Sequence, residues 1–174
     1  MNGKKRGSIR RLTLLAVFTT LALTIFVIES AIPTLVPIPG VKLGLANIVT
    51  LFVIKRMGAR DAAVVLLMRI ILATIFAGQA VSFIYSVFGG VLCLAVMAAI
   101  NKVLNGHAIF VTSIFGAVAH NAGQIMAAFF VLGMSGILVY LPFLVISGII
   151  TGLFTGLVCF FMDKYIPNNI LGLD

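Results

Sequence analysis

Charge is scarce in this chain: 9% of its 174 residues are charged, and only four, Glu29, Asp61, Asp163 and Asp174, are acidic. Soluble domains carry roughly a quarter charged residues, so an ordinary soluble fold is excluded. No two of the acidic residues are close in sequence, so the chain lacks an aspartate cluster able to hold Mg²⁺ against a departing diphosphate. Two cysteines, Cys93 and Cys159, cannot build a disulfide framework, and both lie in apolar runs where a buried thiol is expected. There is no Walker-type phosphate loop, no G-x-S-x-G elbow and no His/Cys metal spacing. Accordingly no metal, no cofactor and no ATPase activity of its own are expected.

What the chain does have is apolar sequence. It is 62% hydrophobic with a mean hydropathy of +1.26, which excludes disorder and indicates an all-α integral membrane protein. At ~20 residues per crossing, the length suits about six transmembrane helices in a single domain with short loops. The apolar segments run over 12–28, 43–54, 61–77, 81–100, 108–132 and 141–162, separated by Gly, Pro, Asn and charged residues. The basic stretch 1–11 could open a signal peptide, but Glu29-Ser30-Ala31 is a poor cleavage end, so an uncleaved first helix is expected.

The positive charge is one-sided. With a cytoplasmic N-terminus and six crossings, ten of the twelve Lys and Arg residues fall on the cytoplasmic side, which places both termini there. The net charge of +8 therefore reads as a topology signal with some attraction to anionic lipid, and not as a nucleic-acid surface. The two exceptions are Lys42, on the outer side, and Arg69, inside the third helix. An ionisable group at membrane depth costs at least about 2.5–3.5 kcal/mol on insertion scales, which makes Arg69 a functional candidate. The alternative is that Arg69 snorkels or pairs with a neighbouring helix.

Two further features carry polar chemistry. His120, Asn121 and Gln124 lie in the middle of the fifth apolar run at spacings of one, three and four, on one expected helical face. They read as the polar lining of a cavity, with interhelical hydrogen bonding as the alternative. Residues 29–44 contain three Pro in seven positions yet are too apolar for an exposed loop, as expected of an outer capping loop. Glu29, Lys42 and Asn47 would surround the mouth beneath it, or Glu29 and Lys42 would pin the loop as an ion pair. Small residues recur at Gly148, Gly152 and Gly156 in the sixth helix, and more weakly at Ala16, Thr20 and Thr24 in the first, where close helix approach is expected. Gly89-Gly90 marks a kink or a close-packing point.

The motifs Glu29-Ser-Ala-Ile-Pro33, Pro39-Gly-Val-Lys42-Leu-Gly44-Leu-Ala-Asn47-Ile-Val-Thr50 and Gly116-Ala-Val-Ala-His120-Asn121-Ala-Gly-Gln124 resemble the bacterial family known as heptaprenyl diphosphate synthase component I, or Gx transporter family. That family is in turn similar to the substrate-binding S components of energy-coupling factor importers. The resemblance implies a multi-pass protein of the bacterial cytoplasmic membrane that captures a small anionic or amphipathic metabolite from outside. Glu29, Lys42, Asn47, Arg69, His120, Asn121 and Gln124 would bind it, and Ala16 and Thr20 would dock a transmembrane coupling protein carrying cytoplasmic ATPases. Thr20 departs from the alanine usual in that docking stripe. The family's enzymatic name implies the other possibility, a non-catalytic membrane component assisting a heptaprenyl diphosphate synthase.

Overall fold

The computed structural model describes residues 2–31, 42–77, 80–133 and 139–167. Most of the expected capping loop, residues 32–41, lies outside them. Six helices follow one another: α1 (Asn2–Ser30), α2 (Asn47–Met57), α3 (Ala59–Ala77), α4 (Ala80–Val103), α5 (Ile109–Leu132) and α6 (Leu141–Tyr165). There is no strand among the described residues.

Four helices, α1, α4, α5 and α6, are long and apolar enough to cross a membrane. This is fewer than the about six crossings expected from length, and the reason differs for the other two. α2 has 11 residues, about 16 Å of helix, roughly half a hydrocarbon core. α3 has 19 residues but carries Arg60, Asp61 and Arg69. Large apolar side chains face outward along the long helices, among them Phe130, Ile150 and Phe154, as lipid-facing surface requires.

α2 is the core of the bundle. Its residues from Asn47 to Ile54 are all buried, and it touches each of the other helices. A short helix that is apolar on every side can be stable only when surrounded in this way. α2 starts four residues later than hydropathy places it, because Gly44 adopts a φ of +82° that an α-helix cannot contain. A single residue, Gly58, turns α2 into α3 at a φ of +98°, with its N–H closing onto the Val53 and Ile54 carbonyls.

The glycine stripe of α6 is consumed within the chain. A Cβ on Gly148, Gly152 or Gly156 would come within 3.1, 2.6 and 3.0 Å of Val118, Ile114 and Phe110 on α5. Ser113 Oγ donates to the Gly152 carbonyl at 2.5 Å across the same contact. Likewise Gly89 is a close-packing point and not a break, since α4 runs through it with the His120 ring against its Cα.

One end of the bundle is basic and cross-linked. Arg11 pairs with Asp61 at 2.5 Å, joining α1 to α3. Asp163 on α6 receives Lys55 at 3.1 Å and Arg56 at 2.8 Å from α2, and Lys55 also donates to the Gly106 carbonyl between α4 and α5. α1 therefore begins well before Leu12, and two of the four acidic residues are engaged at this end. The opposite end, where α1 finishes and α2 begins, holds the polar cavity.

Candidate functional site

Six of the seven polar residues singled out from sequence line one cavity: Glu29 at the end of α1, Lys42 and Asn47 at the approach to α2, Arg69 on α3, and His120 and Gln124 on α5. The space between the atoms is about 240 Å³, and its unobstructed part has room for about one water. It is a narrow polar chamber inside an apolar bundle.

Glu29 builds its entrance. Its two carboxylate oxygens accept the backbone N–H groups of Gly44 and Leu45, at 2.5 and 3.0 Å, in the turn that leads into α2. The alternative reading, a Glu29–Lys42 ion pair, is not what forms. Two backbone donors that would otherwise be buried without partners occupy the carboxylate, which fixes the chain through the backbone instead. Lys42 reaches back to Ser30, its ammonium donating to Oγ at 2.5 Å and lying 3.4 Å from the centre of the Phe26 ring. Burial lowers the Lys42 ammonium to about 8, with the Glu29 carboxylate opposing that shift and Arg69 adding to it.

Gly44 is required at the turn on two counts. Its φ of +82° disfavours any side chain, and a Cβ there would sit 2.8 Å from both Asn47 Nδ2 and the His120 ring. The close approach brings the α2 entrance onto α5. Gln124 then ties the two: its Oε1 accepts the Lys42 N–H at 3.2 Å, and its Nε2 lies 2.8 Å from His120 Nε2. With the Gln124 amide donating, His120 Nε2 is the acceptor and the ring proton is assigned to Nδ1.

Among the described residues, three of the lining side chains keep buried polar atoms without a partner: Arg69, Asn47 and, at Nδ1, His120. Arg69 is 4% exposed, its Nη2 has no hydrogen-bond partner, and its guanidinium stands 5.5 Å from the Phe26 ring centre. Asn47 is 2% exposed and neither its Oδ1 nor its Nδ2 is bonded. Leaving such groups unmet costs about 1–3 kcal/mol each, more when charged, so folding alone does not account for them. Together they offer a cation, an amide donor and an amide acceptor to whatever enters.

Asn121 departs from the expected set. One residue on from His120, it is turned about 100° around α5 and faces α6, where its Nδ2 donates to the Leu144 carbonyl at 2.6 Å. It is not among the residues that line this cavity; its amide nitrogen joins α5 to α6, and its Oδ1 has no partner among the described residues. Ala16 and Thr20 are exposed on α1, and the Thr20 hydroxyl bonds the Ala16 carbonyl at 3.0 Å within its own helix. Sequence reading missed Phe26, Ser86 and Ala46 in the lining. Phe26 stands three residues before Glu29 on the same helical face, a spacing that could have flagged it. Ser86, alone in an apolar helix, gave little signal.

No curated protein and no solved structure matches this chain. A family comparison does match, over residues 18–162, which include every residue named in the cavity lining. By that match the chain belongs to the heptaprenyl diphosphate synthase component I family.

Proposed function

We propose that this protein is a membrane-embedded binding subunit that captures a small anionic or amphipathic metabolite in the cavity at the α1–α2 end and relies on a partner for energy. The observation that carries this reading is Arg69, a buried cation whose guanidinium, among the described residues, forms no carboxylate ion pair and retains an unbonded Nη2 beside the unbonded Asn47 amide. A bound anion would neutralise the one and satisfy the other, whereas a purely structural arginine at this depth would be paired. Lys42 at the entrance adds a second positive charge, and Gln124 and His120 supply neutral polar walls.

The one-sided basic end favours an orientation with that end cytoplasmic and the cavity facing outward, in the bacterial inner membrane. This orientation suits capture from outside, as in the S components of energy-coupling factor importers. The exposed Ala16 and Thr20 face of α1 would then meet a transmembrane coupling protein with cytoplasmic ATPases. The family's name favours a second reading, a membrane component that assists a prenyl diphosphate synthase. The acidic residues fit a non-catalytic part in either case, because Asp61 and Asp163 are engaged at the end opposite the cavity and Glu29 is held by backbone donors.

Two measurements test the proposal. Mass spectrometry of the protein purified in mild detergent is expected to recover a small anion that Arg69→Ala and His120→Ala lose; retention of the same anion by both variants sinks the site. Affinity capture from native membranes is expected to bring down a coupling protein with ATPases, and recovery of a soluble all-helical synthase instead would replace the transport reading with the second one.

A further inference from the structure

A second chamber adjoins the first. It lies between α1, α3 and α4, has about 180 Å³ of space between its atoms, part of it open to the surroundings, and also has room for about one water. Phe26 and Ser86 belong to the walls of both chambers. The rest of the second chamber is mixed, with Ile70, Ala73 and Phe83 as its apolar part. Of its hydroxyls, Thr74 is satisfied by the Ile70 carbonyl at 2.8 Å, while Ser82, 6% exposed, has no partner for Oγ among the described residues. An unmet buried hydroxyl on the wall of a small pocket repeats, one ring away, the situation of Arg69 and Asn47.

The partition itself is tied to the site's charges. The Phe26 ring faces the Lys42 ammonium at 3.4 Å and the Arg69 guanidinium at 5.5 Å. Cation–π attraction of this kind weakens when the cation turns to an anion. Anion binding to these two cations therefore loosens the side chain that separates the chambers.

We propose that the two chambers form one bipartite site, with the ligand's anionic group on Arg69 and Lys42 and a second oxygen, a hydroxyl or carbonyl, reaching Ser82 past a displaced Phe26. The ligand class is a hydroxy acid or oxo acid with a short apolar spacer, matched to the Ile70, Ala73 and Phe83 lining between its polar ends. This inference rests on the anion-binding reading above and adds the second contact.

The test uses the full chain in detergent and, as probes, straight-chain carboxylates of increasing length alongside their terminal hydroxy counterparts, with binding read by calorimetry. At one chain length the hydroxy acid is expected to bind about tenfold more tightly than its parent, the worth of one buried hydrogen bond. Ser82→Ala is expected to erase that preference and leave the parent acid's affinity unchanged. Ser82→Thr, which keeps the hydroxyl and adds a methyl group to the chamber, is expected to keep the preference and shift the optimum to a shorter acid. Equal binding of both series at every length, still abolished by Arg69→Gln, overturns the second chamber and leaves the anion site standing. Failure of the wild-type protein to bind any of the acids removes the anion reading and this inference with it.

Discussion

Glu29 and Arg69 line the same buried cavity without forming an ion pair: the carboxylate is held by the N–H groups of Gly44 and Leu45, and the guanidinium keeps an unbonded Nη2. A fold built only for stability would have brought them together. Their separation leaves the site with an open positive charge and makes opposite predictions for the two residues.

For Arg69, affinity and stability are expected to move in opposite directions. Arg69→Met removes a buried charge that has no direct ion-pair partner among the described residues and keeps most of the side-chain volume, so the thermal midpoint in detergent should stay level or rise. Binding of the co-purifying anion should fall on the order of 10- to 100-fold, the value of a charge-assisted hydrogen bond of about 1.5–3 kcal/mol. A variant that melts earlier and binds normally would show that Arg69 is structural.

For Glu29, stability goes first. Glu29→Gln leaves one acceptor oxygen for two buried N–H groups and removes the charge that strengthened both bonds. A loss of about 1–3 kcal/mol is expected, read by denaturant titration in mixed micelles. Because the turn it holds carries Lys42 and leads to Asn47, weaker anion binding should accompany the loss.

The glycine at that turn separates strain from collision. Gly44→Ala meets both a φ of +82° and a Cβ 2.8 Å from Asn47 and His120, whereas Gly58→Ala has a φ of +98° with nothing within 4 Å. Both variants should lose about 1–3 kcal/mol of stability from backbone strain. Only Gly44→Ala should also lose ligand, because only there must site residues move. Equal binding in the two variants would argue against Asn47 and His120 as lining that matters.

Lys42 sets the pH dependence. Its ammonium is lowered to about 8 by burial, so it is charged at neutral pH and neutral in alkaline solution. Anion affinity should be greatest below that value and decline as pH rises through it, with the bound anion pulling the transition upward. In Lys42→Met the decline should vanish, leaving weaker binding that is flat over the same range. A profile that is the same in wild type and variant would assign the titration elsewhere.

Much of this was legible in sequence because polar residues in an apolar chain stand out: Arg69, His120 and Gln124 interrupt long hydrophobic runs, and the fold gathers them with Glu29, Lys42 and Asn47 in one cavity. Hydropathy also located all six helices, misplacing the start of α2 because it does not register the positive φ of Gly44. It could not show how each group is used. Glu29 beside Lys42 looked like an ion pair, and only the chain path reveals the two backbone donors between them. Phe26 and Ser82 escaped notice because an aromatic or a serine in a membrane helix is ordinary; their meaning depends on which chamber wall they share.

Asn121 and Gln124, three residues apart on α5, provide the sharpest separation of packing from function. Asn121 joins α5 to α6 through the Leu144 carbonyl, while Gln124 joins Lys42 to His120 at the cavity. Asn121→Ala should cost about 0.6–2 kcal/mol of stability, the range of interhelical hydrogen bonds in membranes, and leave anion affinity within a factor of about two. Gln124→Ala frees the His120 ring and the Lys42 amide together, so affinity should fall on the order of tenfold at a similar cost in stability. Calorimetry on the two variants, each compared at a temperature where it is fully folded, distinguishes the roles; an affinity loss in Asn121→Ala equal to that in Gln124→Ala would mean that α6 reaches the ligand through Asn121 after all.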